Sequence, residues 1–124
     1  MRVVRFLQVV SVLGLLPFVV AHEATHALAA RPWATNASVS VFPPRARISF
    51  ENPSRAVLSF VGLAPTIVGY LTVALLGVFV LVLGVVPSTS SFVADVYFAL
   101  GWIVYATPSR GDLRQLTTAE APSV

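Results

Sequence analysis

The 124-residue chain contains no cysteine, which excludes disulfide bonds and thiolate metal sites alike. Charge is nearly as scarce. Eight basic residues, all arginine, and five carboxylates make up 10% of the chain, where a soluble domain carries roughly a quarter. Hydrophobic residues make up 56%, and the mean hydropathy is +0.85. A soluble fold of this length could not hide that much apolar surface, so the composition describes one small domain whose solvent is mostly lipid. No nucleic-acid partner is expected.

Histidine is also rare, and its placement is the most informative feature of the chain. The only two histidines bracket one pentapeptide, His22-Glu23-Ala24-Thr25-His26, an HExxH pattern. Residues four apart share a helix face, so both imidazoles can reach one metal ion while Glu23 lies beside the open coordination position. The stretch leading into the motif, Val3 to Val20, is almost wholly apolar and reads as a membrane span with its ionisable residues near one end.

Three apolar segments are expected to be membrane helices. The first runs from about Val3 to Ala30, and the second from Ala56 to Val86. Gly62 and Pro65 are expected to divide the second into a short leading piece and a full span from Thr66 to Val86. The third, Phe92 to Thr107, is short for a crossing and reaches further only if its last turn runs on to Leu113. Pro87-Ser88-Thr89-Ser90-Ser91 is a tight connection, which makes the last two spans an antiparallel hairpin. The fold class is therefore an all-α membrane protein with three transmembrane helices. It forms one domain over residues 1–116, followed by a short polar tail, 117–124.

Arginine placement sets the orientation. Arg2 and Arg5 lie on one side, whereas Arg31, Arg45, Arg47, Arg55, Arg110 and Arg114 lie on the other, which the positive-inside rule makes cytoplasmic. The motif and the C-terminus fall on that cytoplasmic side of the cell membrane. Trp33, Trp102 and Tyr105 fall near the same boundary and read as interface anchors.

Two histidines and a water leave zinc one protein ligand short. Besides Glu23, only Glu51, Asp95, Asp112 and Glu120 offer carboxylates. Asp95 lies near the opposite face and Glu120 in the tail. Asp112 follows the third span and returns to the side of His22 and His26, so topology favours it. Glu51, at the exit of the first loop, is the reserve.

On these residues the chain resembles a family. The histidine motif at the end of an apolar helix, Leu63-Ala64-Pro65 in the second span and Gly111-Asp112-Leu113 after the third are similar to the small zincin-like membrane metallopeptidases of prokaryotes. More distantly they resemble the three-helix core of site-2 intramembrane metalloproteases, in which glycine usually follows the late aspartate rather than preceding it. The resemblance implies that His22, His26 and Asp112 bind Zn2+ and that Glu23 is the general base in peptide hydrolysis. Chemistry asks for the same roles: zinc lowers the pKa of water to around 7, Glu23 takes the proton, and the metal stabilises the oxyanion.

The remaining polar features fit around that centre. Gln8, Ser11, His22, Thr25 and His26 fall near one face of the first helix, where Gln8 and Ser11 are expected to bond neighbouring helices. Pro17 is expected to kink the helix before the motif. Ser38 to Phe42 and Arg45 to Phe50 alternate at the strand period around Pro43-Pro44 and predict a short β-hairpin in the first loop. The resemblance implies that such strands receive an extended substrate by edge pairing; a hairpin lying on anionic lipid is the alternative. Asn36-Ala37-Ser38 matches a glycosylation pattern, but on the cytoplasmic side it carries no meaning. A cleaved signal peptide is disfavoured, because the apolar pattern runs through to Ala30 and two more apolar segments follow.

The function expected is a zinc-dependent endopeptidase acting on membrane-associated or transmembrane proteins. The alternative is a non-enzymatic membrane subunit with a structural zinc site. Expected partners are membrane lipid and a peptide or transmembrane protein substrate, and three helices leave room for homo-oligomerisation or a partner subunit.

Overall fold

The apolar run after Met1 forms one helix, α1 (Arg2–Ala30), in the computed structural model, which describes residues 1–113. Its 29 residues span about 43 Å. A β-hairpin follows, β1 (Ala34–Ser40) paired antiparallel with β2 (Arg45–Phe50), and then α2 (Arg55–Leu83) and α3 (Phe92–Ala106). Helices α1 and α2 are each long and apolar enough to cross a membrane. Arg114, Glu120 and the tail from 117 lie outside the described residues.

Local chemistry accounts for the boundaries. The Ser54 side chain accepts the Val57 N–H to start α2, and Ser91 does the same for Ala94 at the start of α3. Helix α2 ends at Gly84, whose φ of 65° suits a residue without Cβ. Helix α3 stops at Ala106 and does not run on to Leu113. Pro108 forces the preceding Thr107 into an extended conformation (ψ 125°), and a separate helical turn over 110–113 follows. The first strand begins at Ala34, four residues before the alternating pattern suggested, with an irregularity between Ala34 and Asn36.

The largest departure from expectation is in α2, which runs unbroken through Gly62 and Pro65. Packing overrides the local rule: Gly62, Ala64 and Pro65 are all buried between helices, and the Pro65 ring is fully so. Helix α1 likewise continues through Pro17. The Tyr97 hydroxyl crosses from α3 to donate to the Gly14 carbonyl at 2.6 Å.

What is buried is mostly small or polar: Ala27, Ala30, Val61, Ala64, His22, His26 and Asp112. Large apolar residues such as Phe6, Leu75, Leu81 and Val82 are more than 60% exposed. Helices approach closely where glycine permits it. Gly101 faces the Phe18 ring, and Gly69 faces Ala106. A methyl group at position 69 would overlap the Ala106 Cβ, which is fixed to the α3 backbone, so relief requires the helices to move apart. Gly69→Ala is expected to destabilise the bundle by about 1–3 kcal/mol, the usual cost of overpacking. Reversible unfolding in mixed micelles checks this; an unchanged midpoint would show that α2 and α3 do not meet there.

Candidate metal centre

His22 and His26 lie one turn apart near the C-terminal end of α1, each 5% exposed. Buried imidazoles need partners, and each finds a backbone carbonyl on another helix. His22 Nδ1 donates to the Tyr105 carbonyl at 2.6 Å, and His26 Nδ1 donates to the Val61 carbonyl at 2.7 Å. A carbonyl only accepts, so both Nδ1 atoms carry hydrogen, and a ring in its neutral form then has its Nε2 lone pair free. These contacts also fix ring orientation, as backbone partners of metal-binding histidines do.

The carbonyl that receives His22 is a product of the helix end. The last four carbonyls of a helix lack helical donors. Here Ile103 accepts the Thr107 N–H, Tyr105 accepts His22, and Ala106 accepts the Thr66 hydroxyl at 2.8 Å. Tyr105 is buried, with its hydroxyl 2.7 Å from that of Thr25, so it is a packing residue and not the interface anchor expected from sequence. Trp102 is half-buried against it, with ring centroids 5.0 Å apart.

Asp112 reaches the histidines from the turn beyond α3. The Ser109 hydroxyl accepts the Asp112 N–H, and the Asp112 carboxylate accepts the Ser109 N–H at 2.6 Å, a reciprocal cap at the start of the 110–113 turn. The carboxylate therefore arrives with its direction set. Oδ2 lies 3.2 Å from His22 Nε2, Oδ1 lies 3.0 Å from His26 Nε2, and the two Nε2 atoms are 3.1 Å apart. Burial would raise the Asp112 carboxyl, but its hydrogen bonds with His22, His26 and the Ser109 N–H outweigh that and hold it well below the usual carboxylate range.

With both rings neutral, the two Nε2 atoms and the carboxylate turn their lone pairs toward one another. Such a group repels itself unless a proton or a metal ion lies among its members; in the metal-free protein a proton on Nε2 makes the hydrogen bonds that lower the Asp112 carboxyl, and a metal ion would take its place. With metal–ligand bonds of 2.0–2.1 Å, neighbouring ligands of a tetrahedral zinc ion are about 3.3 Å apart. The observed 3.0–3.2 Å spacings require only a small opening to match. His22, His26 and Asp112 are the group able to hold a metal ion among the described residues.

The other sequence candidates fall elsewhere. Glu51 is exposed and outside the cluster, and Asp95 accepts from Ser88 and Thr89 at the far end of α3. Gln8 and Ser11 are exposed and their side chains make no hydrogen bond among the described residues, so the expected bonds to neighbouring helices are not formed within them. Glu23 points toward the hairpin, and its Oε2 accepts the Ala46 N–H of β2 at 2.8 Å.

That contact shows which way β2 faces. Ala46 directs its N–H away from β1, and alternate residues of an antiparallel strand point alike, so Ala46, Ile48 and Phe50 carry their backbone groups on the outer edge. Beside this edge lies a cavity of about 540 Å³, lined by Glu23, His26 and Asp112, by Leu58 and Val61 of α2, and by Ala46 to Phe50. A strand that presented a face would contribute alternate residues; five consecutive ones mean that its edge lines the cavity.

The roles of the Val61 and Tyr105 carbonyls, the Ala46 N–H and the Ser109 cap were not among those expected from the sequence. The cap had a visible signal, Ser109-x-x-Asp112, which is a capping pattern. Comparison with known protein families, with curated proteins and with solved structures found no match to this chain.

Proposed function

We propose that this chain is a membrane-embedded zinc peptidase that cleaves extended segments of membrane-associated proteins. The observation that carries the reading is the set of three facing lone-pair groups, His22, His26 and Asp112, of which His26 and Asp112 line a cavity that also holds the Glu23 carboxylate. Two imidazoles and one carboxylate form a common donor set for catalytic zinc, with a position left for water. When bound, zinc supplies Lewis acidity, lowering the pKa of water toward about 7 and polarising the peptide carbonyl.

The chain's own residues do the rest. Asp112 and the two histidines hold the ion, and the Tyr105 and Val61 carbonyls keep the imidazoles aimed. The Ala46 N–H fixes one oxygen of Glu23, leaving the other to take a proton from water and pass it to the leaving amine. The outer edge of β2 offers hydrogen bonds to a peptide whose own helix has been undone, which such a peptide needs in lipid surroundings. Ile48, Phe50, Leu58 and Val61 give the cavity an apolar wall, suited to apolar side chains.

In the same reading α3 is a third crossing. At about 22 Å it is short, and neighbouring helices with exposed apolar flanks would thin the bilayer around it. Arg31, Arg45, Arg47, Arg55 and Arg110 then share the site's side of the membrane and make it cytoplasmic.

Reconstituted with a reporter membrane-spanning peptide, the protein is expected to cleave it, to stop when 1,10-phenanthroline is added, and to resume on addition of zinc. Chelator-resistant cleavage would sink the assignment, as would none at all. The pH response has a defined sign. Asp112 is held below the usual carboxylate range and stays ionised through neutral and mildly acidic pH, so it remains a ligand there. Each histidine must shed a proton to ligate, so zinc affinity falls with pH, by up to about 100-fold per unit once both are protonated. Zinc titration across pH 5–8 checks this; an affinity that stays flat to pH 5 would exclude histidine ligation.

A further inference from the structure

We propose that Pro65 is a positioning residue of the metal centre: by withholding an N–H from the Val61 carbonyl, it reserves that carbonyl for His26. The inference rests on the metal reading above and is independent of proteolysis. In an α-helix the carbonyl of residue 61 accepts the N–H of residue 65. Proline has none to give. Val61 is 3% exposed, so its carbonyl is cut off from water and needs a donor from elsewhere. His26 Nδ1 supplies it at 2.7 Å, across 35 residues of sequence.

The other histidine is served by the same device in another form. Tyr105 would accept the N–H of residue 109 if α3 continued, but Pro108 turns Thr107 into an extended conformation and ends the helix. The Ser109 N–H goes instead to Asp112, and the Tyr105 carbonyl is left for His22. Each imidazole is therefore aimed by a carbonyl that a proline has deprived of its helical donor. Pro17 offers an internal comparison, because it is exposed and the carbonyl it frees, that of Leu13, faces no histidine.

The prediction concerns one hydrogen atom. Pro65→Ala restores an N–H at position 65, which draws the Val61 carbonyl back along the helix axis and competes with His26. A carbonyl has two lone pairs, so the contact weakens without vanishing. Zinc affinity is expected to fall about 10- to 100-fold, the usual loss when the partner of a metal-binding histidine is disturbed. Pro65→Ala also deletes part of a buried ring, so the control keeps the methyl side chain and removes only the N–H. The α-hydroxy counterpart of alanine, introduced at position 65, forms an ester with no donor and is expected to hold zinc nearly as tightly as wild type. Pro17→Ala is expected to change nothing at the centre.

Zinc titration of these proteins in micelles decides the matter. A Pro65→Ala protein with wild-type affinity would overturn the proposal, and so would an equal loss in the amide and ester forms, which would make Pro65 a packing residue only. The proton shift of His26 Nδ1–H in the metal-free proteins gives a second readout. It is expected to move upfield in Pro65→Ala and to stay in place in the ester; no movement in either overturns the proposal. A wild type that keeps the Nδ1–H contact yet binds no zinc would instead fail the metal reading.

Discussion

Asp112→Ala is expected to cost the protein its zinc at working concentrations. Structural zinc sites bind with roughly 10–16 kcal/mol, so each of four ligands accounts for about 2.5–4 kcal/mol, or two to three orders of magnitude in affinity. Asp112 supplies the negative charge of the cluster and meets both imidazoles at 3.0–3.2 Å. Its loss leaves His22 and His26 on their carbonyls with two ligands in place of three. The helices pack through other residues, chiefly at Gly69 and Gly101, so circular dichroism is expected to show the helical content retained. Glu51→Ala is expected to leave zinc unaffected, because Glu51 is exposed outside the cluster. Competition titration with a chromophoric chelator measures both. Unchanged affinity in Asp112→Ala would remove that residue from the site.

Glu23→Gln separates holding the metal from using it. The side chain keeps its length, and its amide oxygen can still accept the Ala46 N–H. It has no lone pair basic enough to take a proton from water at neutral pH. Zinc content is therefore expected to match wild type while cleavage of the reporter peptide drops by about 10²–10⁴-fold, the range for losing a general acid–base. Single-turnover kinetics in proteoliposomes, paired with metal analysis of the same sample, gives both readings. Cleavage that survives Glu23→Gln would assign the base elsewhere, and loss of zinc with activity would show that Glu23 acts on the metal and not on the water.

The histidine pair was legible in the sequence because helical spacing alone places residues 22 and 26 on one face. Asp112 was legible for a different reason: few carboxylates exist, and chain direction brings this one back to the histidines. The hairpin was visible from alternation, although its first strand began earlier than the pattern showed. What could not be read was the part that depends on two segments meeting. Pro65 looked like a break because its local rule is strong, yet the cost of a missing helical hydrogen bond is offset where another helix brings a donor, here His26. Tyr105 looked like an anchor because its ring is amphipathic; its hydroxyl found Thr25 and its carbonyl found His22. Backbone acceptors have no residue type; a proline marks the carbonyl it frees, but not the donor that will reach it. They become visible once helix ends and crossings are known.

The claim on which the rest depends is that His22, His26 and Asp112 form a zinc site. Metal analysis of the wild-type protein, purified in detergent without added metal or chelator, tests it most directly. Zinc is expected at close to one ion per chain. A protein that carries no metal, or iron in its place, would contradict it.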